Sequence, residues 1–271
     1  MKAYLKVIIP IIAIVAVAVA AYLFFSKGSG LNAPESVAYD ALGKRFLISN
    51  VQGQSIVAMS PEGKYSTFCK SGLKAPRGII IKDTNLYVAD ATNIQVIDTK
   101  TAKITATIPI QGALMLNDLA MDKAGLLYAT DTKGDCVFVV NPATKKAEKV
   151  VSPLLKAPNG IVYDMPRNQM FIVGFAERTP ILSLSTLDRS IRIFMDTIYS
   201  DMDGIAIDDL GRIYITSWKQ DMIFEIPQEQ NRFILAFKDI KDAADILYYK
   251  PNNELIVPLN TGNKILRIPL D

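Results

Sequence analysis

Histidine is missing from this 271-residue chain, and its absence removes whole classes of chemistry. A Ser-His-Asp triad, a Cys-His dyad and any zinc site built on imidazole all need a ring that the sequence does not contain. Cysteine is nearly as scarce. Cys69 and Cys136 are the two thiols, and they fall in non-adjacent units of the chain, so the reading is two packed thiols rather than a bridge. Basic clusters are also lacking: with Lys2, Lys6 and Lys27 set aside, 27 basic residues face 27 acidic ones, which argues against nucleic acid as a partner. Beyond Phe25 no stretch carries the periodicity of an amphipathic helix.

The chain does carry one long apolar run. Val7 to Phe25 is 19 uncharged residues, and as a helix it reaches roughly 28 Å, about the thickness of a bilayer core. Lys2 and Lys6 precede it and Lys27 follows. Small residues at Ala16-Val17-Ala18 and Ala18-Val19-Ala20 are compatible with a cleaved signal peptide, but the run continues through Tyr22-Leu23-Phe24-Phe25, which favours an uncleaved anchor. Residues 1–27 are therefore read as a membrane anchor or signal segment. The expected placement is a single-pass N-terminal anchor in the lipid bilayer with the remaining domain outside the cytoplasm, the alternative being secretion after cleavage.

Residues 28–271 repeat. The opening Ala157-Pro158-Asn159-Gly160-Ile161-Val162-Tyr163-Asp164 has counterparts at Pro34-Glu35-Ser36, Pro76-Arg77-Gly78, Leu116-Asn117-Asp118, Met202-Asp203-Gly204 and Ala244-Asp245-Ile246. Each copy has a polar residue at the same place: Glu35, Arg77, Asn117, Asn159, Asp203 and Asp245, spaced by 42, 40, 42, 44 and 42 residues. A period of roughly 40–45 residues with only strand signals inside it is the signature of a β-propeller blade. The first strand of each unit is an apolar triplet such as Ile205-Ala206-Ile207, apolar on both faces, whereas the fourth strand is polar. That gradation fits blades sandwiched between neighbours with their first strands innermost, and it does not fit a two-sheet sandwich. The expected fold is all-β, a six-bladed propeller preceded by a transmembrane helix. Because the chain stops just after the third strand of the last unit, the sixth blade is expected to have three strands, or at most a short fourth borrowed from Lys27 to Asn32.

The six polar residues sit at the head of the innermost strand, so all six are expected to point from one rim toward the axis. Glu35, Asn117, Asn159 and Asp203 are oxygen ligands without sulfur or nitrogen donors, a hard set suited to Ca²⁺, with Mg²⁺, Mn²⁺ and Zn²⁺ as alternatives. Asp245 and Arg77 are expected to form a mutual ion pair; Arg77 has two further readings, neutralising Glu35 or binding a substrate carboxylate. Asp40, Asp122, Asp164 and Asp208 read as hairpin turn residues. Asn50, Asp90 and Asp131, at second-strand ends, read as loop-holding groups. Trp218 and Tyr199 are candidates for the entrance, against the plainer reading of packing.

Over about residues 32–271 the chain resembles the gluconolactonase and senescence-marker-protein-30 group of six-bladed propellers, to which diisopropyl-fluorophosphatases and paraoxonases are more distantly similar. The resemblance rests on Pro34-Glu35-Ser36, Asn117-Asp118, Pro158-Asn159-Gly160 and Asp203-Gly204. It implies that Glu35, Asn159 and Asp203 hold a divalent metal, that Asn117 contacts metal or substrate, and that the reaction is hydrolysis of a lactone or related ester with Asp203 as catalytic residue. Sugar-lactone members carry an Arg two residues before the third-blade Asn; here that position is Met115. The residues two before the ring are otherwise Ala33, Ala75, Ala157, Asp201 and Ala243, so the expected mouth is open and fairly apolar, with Arg77, Met115, Asn117 and Asp245 toward the substrate. A different class of function is also consistent with the residues: a non-catalytic propeller that presents its rims to a partner, with a structural channel metal or none.

Overall fold

Each sequence unit folds as one antiparallel meander. The computed structural model describes residues 30–271; the apolar segment 7–25 lies outside them, and among the described residues no helix is long and apolar enough to cross a membrane. Blade 1 is β1 (Pro34–Asp40), β2 (Arg45–Asn50), β3 (Ser55–Met59) and β4 (Tyr65–Cys69). Blade 2 is β5 (Pro76–Lys82), β6 (Asn85–Asp90), β7 (Asn93–Asp98) and β8 (Lys103–Pro109). Blade 3 is β9 (Leu116–Met121), β10 (Leu127–Asp131), β11 (Cys136–Asn141) and β12 (Lys146–Val151). Blade 4 is β13 (Pro158–Asp164), β14 (Gln169–Gly174), β15 (Ile181–Ser185) and β16 (Ile191–Met195). Blade 5 is β17 (Met202–Ile207), β18 (Ile213–Ser217), β19 (Met222–Ile226) and β20 (Ile234–Lys238). Blade 6 has the three strands expected, β21 (Leu247–Tyr249), β22 (Glu254–Leu259) and β23 (Lys264–Pro269). Residues 30–32 add no strand to it.

The hydrophobic core is divided the way a propeller requires. Six clusters of buried side chains lie among the described residues, and each spans the interface between two consecutive blades. Leu116, Leu127 and Phe138 of blade 3 meet Ile94 and Ile108 of blade 2; Tyr214 and Ile223 of blade 5 meet Leu255 and Val257 of blade 6. Inner strands such as β2, β10 and β18 are buried almost throughout, while β12 is exposed at five of its six positions. The apolar triplets of the sequence are thus explained by burial on both faces. Cys69 and Cys136 are free and buried, and burial raises the Cys136 thiol to about 11.

Ring closure relies on polar contacts. The sixth blade contributes Tyr249 and Ile256 to the cluster it shares with blade 1, and Tyr249 packs on Tyr39 and Phe46 with ring centroids 4.6 and 4.9 Å apart. Polar contacts complete the joint. Ala33 N donates to Asn263 Oδ1 at 2.8 Å, Asp245 N to Glu35 O at 3.0 Å, and Asn260 Nδ2 to Pro34 O at 3.2 Å. Arg267, paired with Glu254, reaches Pro61 O at 2.8 Å. Leu31 is buried in the same cluster, and Gly30 O accepts from Asn50 Nδ2 at 3.0 Å.

Near the axis the blades approach so closely that side chains must be absent at set positions. A Cβ on Gly160 would lie 2.3 Å from Asp203 O, and one on Gly204 would lie 2.6 Å from the Asp245 Cα. Both contacts are with backbone of the next blade, which cannot swing aside. Gly160→Ala is therefore expected to destabilise the fold by about 1–3 kcal/mol, read as a lowered urea midpoint; an unchanged midpoint would show that the blades are not pinned there.

Candidate functional site

The first strands of blades 1 to 5 share one irregularity. Pro34 pairs with Asn50 and Val37 with Ile48, so three steps on β1 match two on β2, and the same shift occurs in β5, β9, β13 and β17. Each bulge contains the polar residue and its successor: Glu35-Ser36, Arg77-Gly78, Asn117-Asp118, Asn159-Gly160 and Asp203-Gly204. A bulge breaks the strict alternation of a strand and re-aims a side chain. In blade 6 the equivalent residue, Asp245, precedes β21 and lies outside any strand.

Loop-holding groups fix where each bulge begins. Asp90 Oδ1 accepts from Lys74 N and Ala75 N at 2.8 and 2.6 Å, just ahead of Arg77. Asp131 accepts from Leu114 N and Met115 N, just ahead of Asn117. Asn50 accepts from Asn32 N in the same way. Hydroxyls then tie one blade to the next. Thr130 Oγ1 accepts from Asp118 N at 2.9 Å and donates to Asn159 O at 2.6 Å; Thr216 Oγ1 accepts from Gly204 N at 2.7 Å and donates to Ala244 O at 2.8 Å. The turn residues behave as expected too, with Asp40 Oδ1 accepting from Gly43 N at 2.9 Å and Asp208 Oδ1 from Arg212 N at 2.8 Å.

Glu35, Asn117, Asn159 and Asp203 are all buried to within 4–6% exposure. Asn159 stands near enough to Asp203 to favour its charged form. Asn117 donates through Nδ2 to Thr132 Oγ1 at 2.9 Å, and Thr132 donates on to Pro158 O at 2.8 Å, an arrangement that leaves the Asn117 Oδ1 as the amide's free end. Arg77 Nη1 stands 3.7 Å from Glu35 Oε1, while Glu35 Oε2 is buried without a hydrogen-bond partner. The expected ion pair of Arg77 with Asp245 is not what forms. Asp245 instead accepts from Ser36 Oγ at 2.6 Å and from Ile246 N at 2.7 Å, because its place before β21 sets it beside the first blade's bulge. Of the two aromatic candidates, Tyr199 is core packing, stacked on Phe224 at 3.7 Å. Trp218 follows β18 at the ring's rim, edge-on to Phe175 at 5.7 Å, near enough to Asp203 to favour its charged form although the buried indole N–H closes no bond of ordinary geometry. Met115 is half-buried on the same rim.

The electrostatics are those of a site short of positive charge. Burial first, and then the neighbouring Asp245, push the Asp203 carboxyl up to about 8 against the pull of Arg77. Burial raises Asp245 to about 6, with the Ser36 hydrogen bond opposing. Glu35 and Asp118 are both held well above the usual carboxylate range, chiefly by burial; Arg77 opposes the rise at Glu35, whereas Asp245 adds to the rise at Asp118. Four carboxyls thus share one guanidinium. Among the described residues no three His, Cys, Asp or Glu side chains group as a metal site; the expected donor set is two carboxylates and two amides. The unpartnered Glu35 Oε2, the oriented Asn117 amide and the excess of acid suit a hard divalent cation.

Asp118, next in the chain to Asn117, braces the ring from outside the six polar positions. Its two oxygens accept from Leu119 N at 2.7 Å and from Ile161 N in the next blade at 2.8 Å, and Ser36 Oγ likewise accepts from Ile79 N of the next blade at 3.3 Å. The signal was available in the repeat, since the third residue of each head is Ser36, Gly78, Asp118, Gly160, Gly204 or Ile246: either a glycine or, in blades 1 and 3, a side chain that reaches across. Backbone strain was not legible. Ala33, Ala157 and Asp201 have φ of 55°, 43° and 48°, and each stands two residues ahead of Glu35, Asn159 or Asp203, whereas Ala75, Met115 and Ala243 are not left-handed.

A family model described as SMP-30/Gluconolactonase/LRE-like region matches residues 33–235. No curated protein matches the chain in sequence. Among solved structures, the chain is similar to XC5397 of Xanthomonas campestris, described as a gluconolactonase (TM-score 0.76, 13% identity, 89% of this chain and 87% of that one). It is also similar to virginiamycin B lyase of Staphylococcus aureus (0.69, 14%, 91% and 82%) and to a luciferin-regenerating enzyme (0.70, 16%, 89% and 92%). At these identities the likeness establishes a shared fold.

Two outcomes follow from the strain and the charge. Ala157→Gly is expected to raise the unfolding free energy by roughly 0.5–1 kcal/mol, measured by urea titration. Because Asp203 and Asp245 are raised in the folded state, folding takes up protons between the ordinary carboxylate range and those values, and the stability they confer is full in acid and lost as pH rises toward about 8. The melting temperature of EDTA-treated protein is expected to fall between about pH 5 and pH 8, and added Ca²⁺ to raise it more at the upper pH. A melting temperature that climbs across this window would contradict the assignment.

Proposed function

Because the chain belongs to the SMP-30/gluconolactonase/LRE-like family, we propose that it hydrolyses a lactone or related ester with the help of a divalent cation held by Glu35, Asn159, Asp203 and Asn117. Ca²⁺ is the first choice, with Mg²⁺, Mn²⁺ and Zn²⁺ as alternatives. The observation that carries this reading is the buried, unpartnered Glu35 Oε2 in a ring of oxygen donors whose carboxyls outnumber the single guanidinium. The domain is proposed to lie outside the cytoplasm, tethered to the bilayer through residues 7–25.

When bound, the cation would draw charge from the substrate carbonyl oxygen and stabilise the negative charge that develops there. Asp203 is the group proposed to take a proton from the attacking water. A carboxylate beside a cation is ordinarily a weak base, but burial and Asp245 push Asp203 upward while Arg77 pulls it down, and opposed influences of this kind keep a base useful near neutral pH. Asn159, next to Asp203, favours its charged form. Thr132 sets the Asn117 amide, and Arg77 holds one oxygen of Glu35 while offering its remaining donors to a substrate oxygen. Met115, Phe175 and Trp218 give the mouth an apolar side, which favours a lactone or ester less polar than a sugar lactone. Asp245 acts on Asp203 by its charge.

Asp203→Asn is expected to lower kcat on a responsive lactone by on the order of 10³-fold without lowering the melting temperature, since it removes a like charge from a crowded axis. EDTA is expected to abolish turnover and Ca²⁺ to restore it. A panel of lactones, aryl esters and organophosphates with no turnover on any member, in protein shown to bind the ion, would replace the enzyme with the non-catalytic scaffold.

A further inference from the structure

The axis has a second end. On the side of the β1–β2, β5–β6 and equivalent hairpins a cavity of about 350 Å³ runs inward from Tyr39, Ile81, Ile207 and Tyr248 at the rim to Asp118 and Asp245 at its inner end. Between these ends its wall is hydrocarbon contributed by all six blades: Val37, Ile79, Leu119, Ile161, Ile205 and Ile246. A second concavity, of about 420 Å³, shares Ile80 and Ile81 with the first and extends the apolar surface over Met121, Tyr163 and the exposed Met165. Of the six polar head residues Asp245 lines this cavity, whereas Glu35, Arg77, Asn117, Asn159 and Asp203 do not.

The inner end is chemically unlike the wall. Asp118 Oδ1 and Oδ2 each accept one backbone N–H, and Asp245 Oδ1 and Oδ2 accept from Ile246 N and Ser36 Oγ. A carboxylate oxygen has room for two donors. Each of the four oxygens therefore keeps acceptor capacity, and the Val, Ile and Leu side chains around them supply no donor. The cavity's volume is at the lower end of those that hold small ligands, and between rim and inner end its lining is aliphatic.

We propose that this funnel is a binding site for a linear alkyl amine, with its chain along the six-blade hydrocarbon wall and its ammonium group at Asp118 and Asp245. An ammonium carries three donors and the charge that the two carboxyls lack, and the alkyl chain is removed from water along the wall. An alcohol of the same length offers one donor without charge, and a carboxylate of the same length brings a repelling charge. The site opens on the other rim and uses none of the ring's cation donors, although Asp245 also acts on Asp203 by its charge.

The test is isothermal titration of octylamine, octanol and octanoate into the full-length chain in lipid nanodiscs, with empty nanodiscs subtracted. Octylamine is expected to bind saturably, octanol at least about tenfold more weakly, and octanoate to give no heat beyond the empty discs. Asp245→Asn, which keeps an acceptor for Ser36, and Ala206→Leu, which narrows the wall, are each expected to weaken octylamine about tenfold or more while melting cooperatively. Equal affinity for amine and alcohol, no saturable amine binding, or unchanged amine affinity in both variants would overturn the proposal. Where a variant fails to melt cooperatively, the amine-to-alcohol ratio on the unaltered chain decides the matter.

Discussion

Closing six blades into a ring forces charge together at the axis. Glu35, Asp118, Asp203 and Asp245 come from four different blades and are separated by up to about 200 residues of chain, yet all four are raised chiefly by burial, and Glu35, Asp118 and Asp203 are each raised further by neighbouring carboxyls of the group. Only Arg77 answers them. The packing that makes the disc stable therefore creates an electrostatic debt at its centre, one that protons or a cation must settle. The glycines at Gly160 and Gly204 and the hydroxyls of Thr130 and Thr216 serve this same closeness, the former by removing Cβ atoms and the latter by satisfying backbone groups across each seam.

The architecture was readable from the chain because it is a repeated local pattern. Period, apolar first strand and polar fourth strand all follow from which faces must be buried. The loop-holding roles of Asn50, Asp90 and Asp131 were equally legible, since residue type and position at a strand end define what such a side chain can reach. Partnerships across the axis were not legible. Whether Arg77 meets Glu35 or Asp245 depends on how one blade's bulge lies against the next, and Asp245 is drawn to Ser36 because blade 6 lacks the bulged strand of the other five. The left-handed Ala33, Ala157 and Asp201 are hidden for a similar reason: alanine gives no local cue for positive φ, and only the surrounding hydrogen bonds, such as Phe175 N to Ala157 O at 2.8 Å, hold it there.

The bulges of blades 1 to 5 separate the axis into two chemistries. On their rim side lie oxygen donors and the mouth residues Met115, Phe175 and Trp218; past the bulges, strand alternation resumes and hydrocarbon takes over until the hairpins. Asp118 and Asp245 stand at the boundary and touch both regimes, the first by bracing blade 4 and the second by acting on Asp203 through space.

The clamp on Gly30 fixes a direction as well as a joint. Asn50, which holds Gly30 O, ends β2 on the rim that carries the ring, so Gly30 and Leu31 enter the propeller beside the oxygen donors and at the seam between its last blade and its first.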